Sequence, residues 1–350
     1  MSSLNRPPAA TDAIAPRPNP PGPGADGSAP PLSTTTSEAR GSYYGIPPIK
    51  RPHWKWEIVL YFFLGGVASG AYTLATIAEV SGDRRVHRDI IRAGRYITLP
   101  CLALCPLLLI KDLGKPSRFF NMLRVVKVKS PMSLGTWGLL GFSGFAGLSV
   151  AAELADQGFL RGSWPMRLAL LLPRRLIGRV GSFFALFVGG YTGVLLSATT
   201  VPLWARNKYL LGPTFISGAV STGAAAIHLV LAAAGRTEDP GALADLEEAE
   251  AVALATELLM LGLQGATSGR LAAPLLTGRY RTLFLPGVGL GVLLPLLAGL
   301  HGLARGPRTR PGRILTSLLV LLGGLALRWA LVYAGKQTAD DPAAYFGETG

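Results

Sequence analysis

Eight apolar stretches of roughly twenty residues recur along the chain, at 57–80, 93–109, 133–154, 178–204, 209–234, 249–268, 280–304 and 313–334. A helix needs about 20 residues to cross about 30 Å of hydrocarbon, and in lipid its backbone polar groups must be satisfied within the element. The pattern predicts an all-α integral membrane protein of eight transmembrane helices, arranged as two four-helix bundles. The sixth stretch is the most polar, with Glu247, Glu248 and Glu250 at its start and Glu257 inside. Small residues cluster within the stretches, as at Gly65, Gly66, Ser69 and Gly70. Such residues let helix backbones approach closely where burial of apolar surface gives no drive. Trp54, Trp56, Trp137, Trp204, Tyr209, Trp329 and Tyr333 fall near the predicted ends, as interfacial aromatics do.

Outside the stretches the composition changes. Residues 1–42 are rich in Pro, Gly, Ala, Ser and Thr and contain no apolar run, which predicts a disordered tail and no cleavable signal peptide. The membrane domain is expected over 43–335, with a polar tail over 336–350. Hydrophobic residues make up 49% of the chain and charged residues 15%, well below the roughly 25% charged of soluble domains. The net charge of +14 does not indicate nucleic acid, because the basic residues sit in short clusters between apolar stretches. Eight spans put both termini on one face, here called the terminal face. The two faces carry equal numbers of basic residues, so the positive-inside rule does not orient the chain. Every lysine lies toward the terminal face, whereas the opposite face holds arginine alone.

Ionisable groups at membrane depth are few, and each has two readings. Glu57 opens the first helix, where the macrodipole favours an acid; it could also exchange protons. Asp112 closes the second helix in LIKDLGKPSRFF, where an acid opposes the dipole. A salt bridge to a neighbouring base or a role at a bound headgroup would account for it. Tyr191 lies mid-span and needs a hydrogen-bond partner, on a neighbouring helix or a ligand. Thr192, Ser197, Thr199 and Thr200 are expected to bond their own backbone. Glu257 and Arg328, counted from the predicted span starts, lie about 12 Å apart in depth and do not pair. His228 and His301 sit near helix ends, positions that argue against a shared haem. Cys101 and Cys105, one turn apart, read as packing residues, too few for a cysteine-held cluster. No metal-binding spacing is present.

Three segments, YYGIPPIKRPHWKWEIVLYFFLGGVASGAY, DLGKPSRFFNMLRVVKVKSPMSLGTWGLLGFSGFAG and YTGVLLSATTVPLW, resemble the NrfD-like, polysulfide-reductase membrane-subunit family. With the eight spans, the resemblance covers most of 43–335. It implies a bundle without haem or iron–sulfur cluster of its own, which meets quinone or quinol as a diffusible substrate. It also implies a docked four-cluster-type, ferredoxin-like iron–sulfur subunit and, beyond it, a catalytic subunit, often a molybdopterin enzyme. Tyr191 matches a family tyrosine at the quinone, and Asp112 the acid of the DLG-type motif. The first helix departs: Ile58 and Tyr61 stand where polysulfide reductases place Asn and His, and the adjacent Glu57 is the substitute for the proton role.

The expected function is therefore that of a membrane subunit of a multi-subunit oxidoreductase in a prokaryotic plasma membrane. It would exchange electrons and protons between quinone and the docked subunit, with no catalytic metal centre of its own. The resemblance places the termini outside. The expected quinone-site residues are Tyr191, Tyr61, Glu57 and Asp112, with Glu57 and Asp112 exchanging protons. The basic stretch 111–129 is the expected docking surface. Two rival readings stay open: a passive anchor without quinone chemistry, and a secondary transporter using Glu257, Arg328 and His228.

Overall fold

The computed structural model describes residues 52–114, 119, 123–124, 126–127, 130–159, 171, 173–235, 239–306, 308–341 and 344. The expected tail over 1–42, and Lys115, Arg118 and Lys129 of the expected docking stretch, lie outside them. Among the described residues, eight helices are long and apolar enough to cross a membrane. The chain is a multi-pass membrane protein.

The first four spans are α1 (Trp56–Ser81), α2 (Arg88–Asp112), α3 (Pro131–Asp156) and α4 (Arg174–Ser197). A short helix α5 (Pro202–Arg206) leads into α6 (Leu211–Ala234) and α7 (Pro240–Ser268). A tight turn at Gly269–Ala272 and one helical turn at Ala273–Leu276 follow. The seventh span is α8 (Arg281–Val288) and α9 (Leu294–Arg305), joined by a wide π turn at Gly289–Leu293, and the last is α10 (Arg310–Ala339). α1 packs on α2 and α4, with α3 on α4; α6 packs on α7 and α10, with α8 on α10 and α9 on α7. These are the two expected four-helix bundles.

α1 and α6 join them. Buried residues make up 83% and 78% of their most apolar stretches, against 39–50% in the other six, so these two helices form the centre. Their contact is backbone to backbone. A Cβ on Gly70 would strike the Ala219 carbonyl, and one on Gly223 would strike the backbone of Gly70 and Ala71. Lys336 donates to the Trp54 carbonyl at 2.7 Å, which brings the end of α10 to the start of α1 on the terminal face.

Four expectations need correction. The fourth span does not continue to Trp204. Ser197 and Thr199 turn their hydroxyls onto Gly193 and Leu196 carbonyls, and Pro202 disfavours helix at the residue before it, so α4 stops at Ser197. Trp204 is then not interfacial. It is fully buried, stacked 5.4 Å from Trp54, and its indole N–H donates to the Leu331 carbonyl at 3.0 Å. The sixth span starts at Pro240 rather than at 249, because Asp239 caps it by accepting from the Gly241 and Ala242 amides. The last helix reaches Ala339, so residues 336–339 extend the bundle.

The earlier start of α7 draws Glu247 and Glu250 into the protein, where both are buried. Arg308 meets Glu247 at 3.2 Å and Glu250 at 2.5 Å. The first bundle repeats the device on the same face. Arg84 lies 3.2 Å from Glu153 and 2.8 Å from Asp156, Arg92 lies 2.8 Å from Glu153, and Arg95 lies 3.0 Å from Glu79. This gives a physical reason for the arginine-only face. A planar guanidinium bridges two carboxylates at once, which a lysine ammonium does less well.

Candidate functional site

The terminal end of the first bundle gathers three of the four expected residues around one small pocket. Tyr61 comes from α1, Asp112 from the last turn of α2 and Tyr191 from α4; Trp54, Phe62, Phe119 and Thr136 complete the polar and aromatic wall. The three chains of causes are local. Tyr61 lies one turn beyond Glu57 on the buried face of α1. Asp112 is held where Gly114, with φ of 70°, turns the chain out of α2. Tyr191 occupies a notch at Gly135 of α3, since a Cβ there would overlap its ring.

The polar atoms differ in how they are engaged. Asp112 Oδ1 is buried without a hydrogen-bond partner, and among the described residues Asp112 makes no ion pair. Lys55 and His53 still act on this carboxyl through their charges. The Tyr61 hydroxyl donates no hydrogen bond within the described residues, although the side chain is 4% exposed. Tyr191 donates its hydroxyl proton to the Pro131 carbonyl at the start of α3. Its oxygen still has lone pairs that can accept from a ligand hydroxyl.

Glu57 is placed differently from the expectation. It is buried but does not line the pocket. Its Oε1 lies 3.5 Å from Lys111 Nζ, and its Oε2 has no partner. Lys111 Nζ in turn sits 4.4 Å from the centre of the Trp56 ring. Glu57 is close enough to Asp112 for their charges to interact, as are His53 and Lys55. Asp112 therefore stands on the pocket wall, and the more deeply buried Glu57 lies off it. Thr136 and Met132 belong to the wall and were not anticipated; the SPMSLGTW segment that carries them was the available signal.

Elsewhere, His228 and His301 do not face a common space: His228 is buried beside Glu250, and His301 is exposed. Thr192, Ser197 and Thr199 bond their own backbone as expected. Glu257 and Arg328, expected to lie apart, come together. A Cβ on Gly218 would stand 2.6 Å from Glu257 Oε1 and 3.5 Å from Arg328 Nη2. Measured from the true helix starts at Pro240 and Arg310, the two lie about 26 and about 27 Å deep.

Comparison with known proteins identifies the family. The model of the family described as Polysulphide reductase, NrfD, matches residues 48–340. The chain belongs to the NrfD family. The C subunit of the polysulfide reductase of Wolinella succinogenes is 31% identical to it over 301 residues, covering 81% of the present sequence and 94% of the relative. The NrfD homolog of Haemophilus influenzae is 27% identical over 312 residues, covering 81% and 95%. Protein NrfD of Escherichia coli is 26% identical over 306 residues, with the same coverage of 81% and 95%. The matched residues span α1 to α10.

Proposed function

We propose that this protein is the membrane subunit of a quinone-linked oxidoreductase complex in a prokaryotic plasma membrane. The observation that carries the reading is the convergence of Tyr61, Asp112 and Tyr191, from three separate helices, on one aromatic-walled pocket. Such a pocket suits a flat ring with an oxygen at each end. Tyr61 has a hydroxyl proton to offer a carbonyl, and Tyr191 has lone pairs to accept from a quinol hydroxyl. Oxidation of a quinol releases two electrons and two protons, and reduction takes them up. Asp112 is the proton acceptor on the pocket wall, and Glu57 beside Lys111 is a second proton-exchanging carboxyl next to it.

Electrons leave or arrive through a docked iron–sulfur subunit of the multi-cluster ferredoxin type on that face, with a catalytic subunit beyond it. Support comes from the likeness to the polysulfide reductase C subunit and from the pocket's position at the terminal end. The family resemblance supports an external placement of that face. One observation favours the rival anchor reading: the Tyr191 proton is committed to the Pro131 carbonyl.

Asp112→Asn separates the two readings. In the purified complex, quinone turnover is expected to fall while assembly with the partner subunits is retained. Normal turnover in Asp112→Asn and in Glu57→Gln would leave the anchor reading standing.

A further inference from the structure

The seventh span does not lie against the sixth along its whole length. A π turn widens a helix and redirects it, and Gly289–Leu293 is such a turn. α7 packs on that turn and on α9, whereas α8, on the far side of the turn, packs on α10. The fork between α7 and α8 holds a cavity of about 290 Å³ in the terminal half of the second bundle, against about 70 Å³ for the first bundle's pocket. Its mouth faces lipid. Gly262 and Gly265 of α7 are exposed there, as is Leu285 of α8, and a Cβ on either glycine would meet open space. The wall is mainly apolar, with Asn207, Gln264 and Ser268 on its buried side. Trp204 belongs to this wall and is stacked 5.4 Å from Trp54, which lines the first pocket. Two indoles thus separate the cavity from that pocket.

One polar atom of this wall is uncommitted. Thr214 donates its single hydroxyl proton to the Leu210 carbonyl at 2.7 Å, so toward Gln264 it can only accept. Gln264 therefore turns its amide nitrogen to Thr214. Its amide oxygen is left over, and no group among the described residues donates to it. Asn207 and Ser268, by contrast, are engaged with each other, with Thr267 and with the Leu203 and Gln264 carbonyls. Gln264 is 6% exposed, and a buried oxygen without a donor is costly in apolar surroundings. A lipid acyl chain in the cavity has no donor to supply. An apolar ring bearing a hydroxyl does, which is the chemistry of a quinol. A quinone is the wrong partner, because its ring oxygens only accept and one would face the Gln264 oxygen.

We propose that this cavity is a second ligand site, selective for the reduced form of the quinone pool. A quinol enters from lipid between α7 and α8 and donates a hydrogen bond to Gln264 Oε1. The inference rests on the quinone reading of the first pocket, which supplies the ligand class. No covalent bond changes and no electron moves at this site. It holds a quinol one indole stack away from Tyr61, Asp112 and Tyr191.

The test is equilibrium binding to the full-length protein in phosphatidylcholine nanodiscs, kept free of oxygen, with a short-tailed naphthoquinol and its quinone as the two probes. The wild type is expected to bind two quinols but one quinone. Gly265→Phe places a ring in the mouth, where there is room for it, and should reduce quinol binding to one while leaving quinone binding unchanged. Gln264→Leu should weaken the second quinol about ten-fold, the loss of one hydrogen bond, again without effect on quinone. Gly135→Ala reports on the first pocket alone, so the two readings fail separately. Quinol loss confined to Gly265→Phe and Gln264→Leu would support this cavity and remove the first pocket. Loss confined to Gly135→Ala, or equal numbers of quinol and quinone bound by the wild type, would overturn the proposal.

Discussion

Asp112 stands at the C-terminal end of α2, where the helix dipole is unfavourable to a negative charge, with one carboxyl oxygen buried and unpartnered. A proton-carrying group at a quinone would account for that position. General acid–base groups contribute about 10²–10⁴ in rate, so Asp112→Asn should lower quinone turnover by roughly 100-fold in a steady-state assay of the complex. Tyr61→Phe removes a single donor, and a loss of about ten-fold is expected, reflecting roughly 1–1.5 kcal/mol of hydrogen bonding. Gly135→Ala should displace the Tyr191 ring, because the added methyl meets the phenol directly. Weaker quinone binding in that variant, with Gly144→Ala as a neutral control in open space, would check the packing argument. Asp112 and Tyr191 were legible through the family motifs they occupy. The placement of Glu57 off the wall was not, since adjacent positions on a helix differ by about 100° in direction and only the packed neighbours decide which faces the ligand.

At the scale of elements, every span was legible as an apolar stretch, because lipid imposes a minimum length on any helix that crosses it. The ends were less legible where polar residues turned out to be buried. Glu247 and Glu250 looked like a solvated start to the sixth span because their partner, Arg308, lies 61 and 58 residues away in sequence. That distance hid the depth match of Glu257 with Arg328 as well. The Arg308 cluster has a measurable consequence. Its side chain is 8% exposed and its two acids 1–2%, so Arg308→Ala leaves two buried carboxylates without their base. A loss of about 3–5 kcal/mol is expected, seen as a lower midpoint of thermal unfolding in detergent. The α1–α6 contact behaves in the opposite sense, through excess volume. Gly70→Leu should cost about 1–3 kcal/mol or prevent assembly of the two bundles, because no side chain can yield where backbone meets backbone.

Across the whole molecule, the two bundles divide their polar groups differently. The first holds its pocket and the Glu57–Lys111 pair at the terminal end and its arginine–carboxylate cluster at the other. The second carries its polar groups through the full depth. The division was not legible in the sequence, because it depends on which helix face meets which neighbour. Its central claim concerns the first bundle, and the most direct measurement is cross-linking of a photoreactive quinone to the purified complex, followed by mapping of the labelled peptides. The account predicts label on the α1 segment around Tyr61 and the α2 segment around Asp112, lost on addition of excess unlabelled quinone. Competable label confined to the second bundle, or no competable label on this protein, would contradict it.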